Sequence, residues 1–480
     1  MPRLAKWVFL SLLAIYLPLT RGHFWSTDEV GMYQQTRSLW EAGNLAVAPG
    51  LVNSVPGRGG RYFVPWGAGQ AVLALPLYGI GRGMGHLLDG PRTTRWKATF
   101  AGPVVGDLPD RRWGGDVEIF FTNLFNCFVV AGLGAVFFQF SLALGAAPRW
   151  ALVATLLMAL TSHVAGFSAT FFQHPAEALF LLWTFYLLFQ DRRWLAGTTA
   201  AVLAMVRVQA AMHLPILAAY LLWRLWKRGL RQPVELARQM APFVVPATAG
   251  ILVSCAVNYW KFSCFSINGC YARLNPFDGS LPTSIYAYLF SPGEGIFWFS
   301  PLLLLAPWYL PPFVRRYGAE AAVLGASVLT AFVVYGKLHF WHGQWSFGPR
   351  FLMHLVPLLL LPLALWLPTL SRRAWAAVGL LALTGAFLQA IHFATNTSYI
   401  YHQENYSNFQ PPFGFLFIPE YSQIPAHFRA LMAWDYRVDP WLVEVTRSVG
   451  PDRTLLLLAV LVWFLVWCLR RLWKALSAES

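Results

Sequence analysis

Two adjacent carboxylates are the first residues with a clear capacity for chemistry: Ser26-Thr27-Asp28-Glu29, followed by Tyr33, Arg37, Trp40, Glu41 and Gly43. Ser26 or Thr27 can cap a helix whose first turn holds Asp28 and Glu29, where the helix dipole favours negative charge. Val30, Tyr33, Leu39 and Trp40 would then rest on a membrane surface, and Gly43 would end the helix. Acidic helix starts are common as capping devices alone. His174 and Glu177 form an i, i+3 pair at the mouth of an apolar run, where an ionisable residue is expected to line a cavity. Arg207, at the end of the next run, suits either function or pairing with a carboxylate. His339 and His342 flank Trp341, a spacing that can set two ligands on one helix face for a metal. No Cys or carboxylate close in sequence completes that set, so no resident metal is expected, although a divalent ion stays compatible.

Positioning these groups falls to a membrane. The chain has 480 residues, 57% hydrophobic and 12% charged, with a mean hydropathy of +0.49, far from soluble averages. Disordered, collagen-like, coiled-coil and disulfide-stapled classes are excluded by that composition and by five scattered cysteines. Of these, Cys255, Cys264 and Cys270 lie close enough in sequence for one pair to bridge. A spanning helix needs roughly 20 apolar residues. Twelve segments are candidates, some short: 5–20, 118–144, 150–166, 174–190, 194–207, 211–226, 240–258, 294–313, 319–336, 351–370, 374–391 and 454–469. The expected architecture is an all-α polytopic membrane protein, a single unit over 1–480, with interfacial helices such as Ala68 to Leu88 in a first external loop, 21–117, and a second long external loop, 392–453.

Charge orients that threading. With the amino terminus inside, 17 of the 36 Lys/Arg but only four of the 21 Asp/Glu fall on the inner side, as the positive-inside rule requires. The net charge of +15 therefore reads as topology, and no nucleic-acid partner is expected. Arg21-Gly22 makes no small-x-small cleavage site, so 5–20 reads as a retained span with both termini cytoplasmic. All 11 histidines fall on the outer side or in the outer third of a span. Chemistry is expected to face outward.

The order of motifs resembles a known family. Asp28-Glu29 just beyond a first span, then a Tyr-containing amphipathic helix closing on Glu41-Ala42-Gly43-Asn44, resembles the opening of the GT-C membrane glycosyltransferases, in particular the branch of protein O-mannosyltransferases and aminoarabinose transferases. Arg61-Tyr62-Phe63-Val64-Pro65-Trp66-Gly67 with Pro76-Leu77-Tyr78 is similar to that branch's Lys-Tyr-Pro-Pro-Gly and Pro-Leu-Tyr segment. Phe171 to Glu177 stands where its members carry a Phe-Phe-x-Glu-Pro-like turn. Asn258 to Phe262, Leu289 to Gly295 and Trp345 to Phe351 are similar to a bacterial subgroup, and the likeness covers roughly residues 1–370. The lysine that some members place before Pro-Pro is absent, and the segment 392–453 matches no pattern of the family.

The resemblance implies transfer of a hexosyl or pentosyl unit, with inversion, from a polyprenyl-phosphate carrier to an acceptor hydroxyl on the outer face of a bacterial cytoplasmic membrane. The acceptor is a glycan, a lipid or a protein. Phosphate is a good leaving group, so one base suffices, in contrast to the two carboxyls of glycoside hydrolysis. Asp28 matches the base and Glu29 its orienting partner. Arg350, Arg61 and Lys261 are candidates for the donor phosphate. Arg350 leads, because Gly348-Pro349 reads as a helix start with Pro at its first position and free amides beside the cation. Tyr62, His174, Glu177, His339, His342 and Trp345 are candidates for the substrate cavity. The alternative class is a polytopic transporter or flippase for a lipid-linked or small polar substrate. It predicts internal repeats and midplane charges, of which only Arg207 and Glu177 are seen.

Overall fold

The computed structural model describes residues 2–51, 53–91, 93–101, 116–266, 275–343, 346–397, 400–401, 414–433 and 440–478. Among them six helices are long and apolar enough to cross a membrane: Val117–Ala143, Val208–Lys227, Pro233–Phe262, Gly318–Gly336, Arg372–Ala394 and Pro451–Ser477. Four apolar helices are shorter: Pro148–Thr161, His174–Phe189, Arg193–Val206 and Leu355–Thr369. The first expected span is the helix Pro2–Tyr16, prolonged by a 3-10 turn over Leu17–Leu19. Every expected span thus coincides with helical chain.

Two of them are broken, and proline explains where. The segment 294–313 divides into Ile296–Phe299, Pro301–Leu305 and Ala306–Arg316. The segment 351–370 divides into Arg350–Leu352, Leu355–Leu360, Leu363–Trp366 and Leu367–Thr369. Pro301, Pro307, Pro357, Pro362 and Pro368 lack the N–H that a continuous helix needs, and their rings clash with the preceding turn. Irregular backbone is tolerated at membrane depth only where protein covers it, and Leu302, Leu303, Leu352, Leu355 and Leu360 are all buried.

Phe125–Ala143 lies at the centre, packed on Pro2–Tyr16, Pro148–Thr161 and His174–Phe189. Arg193–Val206 packs on His174–Phe189 and Pro233–Phe262, while Pro451–Ser477 lies along the first helix. That last helix buries only 11% of its apolar window. Leu455, Val460, Trp463 and Trp473 point outward, as a lipid-facing surface would. Thr27–Ala42 and Gly69–Leu87 lie side by side, the second resting on Val117–Asn123. Among the described residues the strand pairing consists of Val55–Pro56 with Tyr62–Phe63, antiparallel, and an isolated antiparallel bridge of Val47 with Tyr62.

Candidate active site

Ser26 caps the helix Thr27–Ala42 in extended conformation (φ −130°, ψ 152°), and its side chain accepts from the Glu29 N–H at 3.3 Å. Glu29 reaches back to complete a capping box: its Oε2 accepts from Trp25 N and Ser26 N, each at 3.0 Å. Its Oε1 accepts from the backbone N of Phe171 at 2.5 Å, 142 residues away. Glu29 is fully buried, and burial pushes its carboxyl up to about 7 against the pull of those amides and of the Arg21 charge. Glu29 therefore fastens the helix start to the segment before His174 and does not line the cleft. At the far end Gly43 takes the left-handed conformation (φ 60°) that closes a helix at low cost.

Asp28, one residue earlier, faces the other way. Its Oδ2 accepts from Arg350 Nη1 at 2.7 Å, across 322 residues of chain, and its Oδ1 accepts from Asn53 Nδ2 at 3.2 Å. The Asp28 side chain keeps 24% exposure and Arg350 only 7%. Arg350 does not sit as the sequence suggests. Pro349 (φ −75°, ψ 79°) precedes a 3-10 turn of three residues, Arg350–Leu352. That turn is too short to offer a helix-terminus anion site, so this segment contributes positive charge through the Arg350 guanidinium and not through its backbone amides. It lies over the Phe172 and Phe351 rings at 5.1 and 5.4 Å.

Asp28, Met32, Trp66, Phe172, Gln173, His174, Arg207, Gln209, Arg350 and Phe351 surround a cleft of mixed polar and apolar lining, of about 40 Å³. That is room for a few waters. Trp66 is carried there by the turn Gly67–Gly69, which lies so close to the Met205 carbonyl that a Cβ at Gly67 would collide with it. Arg207 enters because the helix Arg193–Val206 stops there: Arg207 is extended (φ −143°, ψ 116°) before the 3-10 turn Val208–His213.

Behind Arg207 lies a buried polar network. Arg207 Nε is 3.1 Å from Glu177 Oε2 and donates to Tyr335 Oη at 3.1 Å. Arg207 Nη1 is 2.6 Å from His174 Nε2, and Tyr335 Oη donates to Glu177 Oε1 at 3.0 Å. His354 Nδ1 stands 3.8 Å from Glu177 Oε1, and His213 Nε2 meets His354 Nε2 at 3.2 Å. Among the described residues one group can gather three metal-ligating side chains, Glu177, His213 and His354. The sequence reading names His174 and Glu177 and leaves Arg207 open. It misses His213 and His354, whose rings meet across 141 residues with no motif around either.

Other expected site residues lie elsewhere. Arg61 is exposed and lines no part of the cleft. Tyr62 belongs to the small ribbon, its carbonyl accepting from Val47 N at 2.8 Å. Lys261 is buried, and its Nζ donates to the carbonyls of Val64 at 2.9 Å and Trp66 at 2.8 Å. It holds the loop that carries Trp66 and is committed to those carbonyls. His339 and His342 do not share a helix face, because 337–342 is a run of turns. His339 pairs with exposed Asp278 at 2.9 Å, whereas burial and the Arg350 charge push His342 down to about 3. Trp345 and Cys270 lie outside the described residues, and Cys127, Cys255, Cys264 and Cys468 are free thiols.

No protein-family profile and no characterised protein sequence matches the chain. Solved structures do. The crystal structure of ArnT from Cupriavidus metallidurans, bound to undecaprenyl phosphate, aligns over 99% of this chain and 76% of its own, with a TM-score of 0.50 and 14% identity. The chain has a GT-C-like fold. The archaeal oligosaccharyltransferase AglB from Archaeoglobus fulgidus, in complex with an inhibitory peptide and a dolichol-phosphate, aligns over 86% of this chain and 59% of its own, at a TM-score of 0.45 and 11% identity. A GT-C-like scaffold fits the elements above: a first helix, an acidic helix immediately after it, and a cleft where the following loops converge.

Proposed function

We propose that the protein is a membrane glycosyltransferase that moves a sugar from a polyprenyl-phosphate carrier to an acceptor hydroxyl, with inversion at the anomeric carbon, on the outer face of the membrane. The observation that carries this reading is the meeting of Asp28 with Arg350 in a cleft that also holds Arg207. A carboxylate beside two cations is what the chemistry asks for. The acceptor oxygen attacks the anomeric carbon, the bond from that carbon to the phosphate oxygen breaks, and the acceptor proton passes to Asp28. Negative charge leaves on the phosphate, and Arg350, with Arg207 behind it, stabilises it through charge-assisted hydrogen bonds. The fold similarity to ArnT, a protein solved with undecaprenyl phosphate, supports the choice of carrier.

A cleft of about 40 Å³ does not admit a sugar while the 2.7 Å Asp28–Arg350 pair is closed. Donor binding draws Arg350 toward the phosphate and releases Asp28, so the free carboxylate forms only when the leaving group is held. Such coupling limits proton abstraction to the loaded enzyme.

The test uses purified protein, a polyprenyl-phosphate sugar and mass spectrometry of the product. Asp28→Asn keeps size and one of the two acceptor oxygens that Arg350 and Asn53 use but removes basicity, and turnover is expected to fall about 10²–10⁴-fold. Transfer by Asp28→Asn at the parent rate would refute the assignment of the base. Absence of lipid-linked donor use by the parent across the common bacterial polyprenyl sugars would refute the reading itself.

A further inference from the structure

We propose that Glu177, His213 and His354 form a binding site for one divalent transition-metal ion of the zinc class, one side chain behind the cleft. The site stands whether or not the cleft transfers a sugar. Two imidazole nitrogens and a carboxylate oxygen are a donor set for zinc and its neighbours, and not for magnesium or calcium, which prefer oxygen alone. One ligand atom from each residue lies within 4.8 Å of the others. The two imidazoles approach through Nε2 at 3.2 Å. Two nitrogens on a tetrahedral zinc ion, each bound at about 2.0–2.1 Å, stand about 3.3 Å apart. Glu177 Oε1 stands 3.8 Å from the other nitrogen of the His354 ring, Nδ1, so the carboxylate must turn to join the Nε2 pair.

Burial and the surrounding bonds argue the same way. Glu177 and His213 are fully buried and His354 is 1% exposed, the closed environment of a resident ion. A neutral His–His pair forms one N–H···N bond and uses one nitrogen of each ring. His213 Nδ1 is then a buried polar atom without a hydrogen-bond partner, an arrangement that costs free energy and calls for a compensating gain. An ion on both Nε2 atoms leaves Nδ1 protonated and still unpartnered, so it offsets that cost by its own bonds to nitrogen and oxygen without removing it. Glu177 meanwhile is oriented from outside the ligand set by Arg207 at 3.1 Å and by the Tyr335 hydroxyl at 3.0 Å, as metal-bound carboxylates are. Three separate elements converge: the first turn of His174–Phe189, the end of Val208–His213, and the residue before Leu355–Leu360. Arg207 touches both Glu177 and the cleft, so the ion fixes the geometry of the arginine that faces the substrate.

The full-length protein, purified in detergent without chelator, is analysed for metals by inductively coupled plasma mass spectrometry, then stripped with chelator and titrated with Co²⁺. About one equivalent of zinc-class ion per chain is expected, with visible absorption of a low-symmetry Co²⁺ centre appearing at one equivalent and a Tm that falls on stripping. Glu177→Gln and the double change His213→Gln with His354→Gln should lower metal content at least tenfold, whereas His342→Gln should retain it. A parent that holds no ion and develops no Co²⁺ spectrum overturns the proposal. So does equal metal in parent and triad variants. Since the parent measurements decide by themselves, variants that fail to fold do not leave the question open.

Discussion

At the scale of single residues, Glu29 and Lys261 act through the backbone, and Asp28 and Arg350 act through open space. Both Glu29 oxygens accept from N–H groups, on the Trp25–Ser26 side and on the Phe171 side. A glutamine supplies one acceptor oxygen only, so in Glu29→Gln an NH₂ group must face a backbone donor. Leaving that donor unsatisfied costs about 1–3 kcal/mol. The variant should show a lower Tm and reduced turnover through loss of Asp28 placement, and unchanged Tm would remove the fastening role. Arg350→Ala should weaken use of the lipid donor roughly tenfold to 150-fold, the worth of a charged hydrogen bond of about 1.5–3 kcal/mol. Lys261→Met should lower Tm and change donor KM far less, and the reverse ranking in steady-state kinetics would exchange the two roles. The acidic pair is legible in sequence because capping is local: Ser26, Asp28 and Glu29 lie within one turn. What divides their labour is not legible, since the Phe171 amide and the Arg350 guanidinium arrive from 142 and 322 residues away. Lys261 misleads for the same reason, because an interfacial lysine looks identical in sequence whether it meets a phosphate or two carbonyls.

At the scale of elements, apolar runs place the helices well, and prolines account for the two expected spans that break, although Pro233–Phe262 runs on through Pro242 and Pro246. The continuous spans expected over 294–313 and 351–370 are instead chains of short helical pieces, and the second of these delivers Arg350 and His354 to the site. Hydropathy averages over a window and so cannot register a break that a few prolines impose. The helix Gln423–Met432 illustrates a different dependence. It is anchored by His427, whose Nδ1 lies 2.8 Å from the Gln423 carbonyl and whose Nε2 lies 3.1 Å from the Thr397 hydroxyl. Burial pushes this imidazole down to about 4. The unfolded chain then binds a proton that the folded chain refuses, so the stabilisation is complete above the unfolded value of about 6.5 and is lost as pH falls through about 4. Thermal scans should show the parent losing stability between those values, by up to about 3 kcal/mol from this group. His427→Gln should flatten that part of the curve. Identical slopes in parent and variant would show that His427 is not the group responsible.

At the scale of the whole molecule, the charge distribution and the site lead to one orientation. The cleft is built on the segment after the first helix and on the turns that precede His174 and Arg350. The basic clips Arg192–Arg193, Arg224 to Arg238, Arg315–Arg316 and Arg372–Arg373 stand at the opposite ends of the same helices. Short loops rich in Lys and Arg stay cytoplasmic because translocating them is unfavourable. Under the proposed function the cleft opens outward, and that orientation is a prediction of the charge distribution. Impermeant maleimide labelling of intact cells tests this directly, in a background lacking the native cysteines. Arg58 and Arg231 are both exposed, and neither lines the cleft. Arg58→Cys should label in intact cells, and Arg231→Cys only after permeabilisation. The opposite pattern would invert the molecule, placing both termini and the basic clips outside and the cleft in the cytoplasm, where the proposed chemistry would have to draw on a donor facing inward.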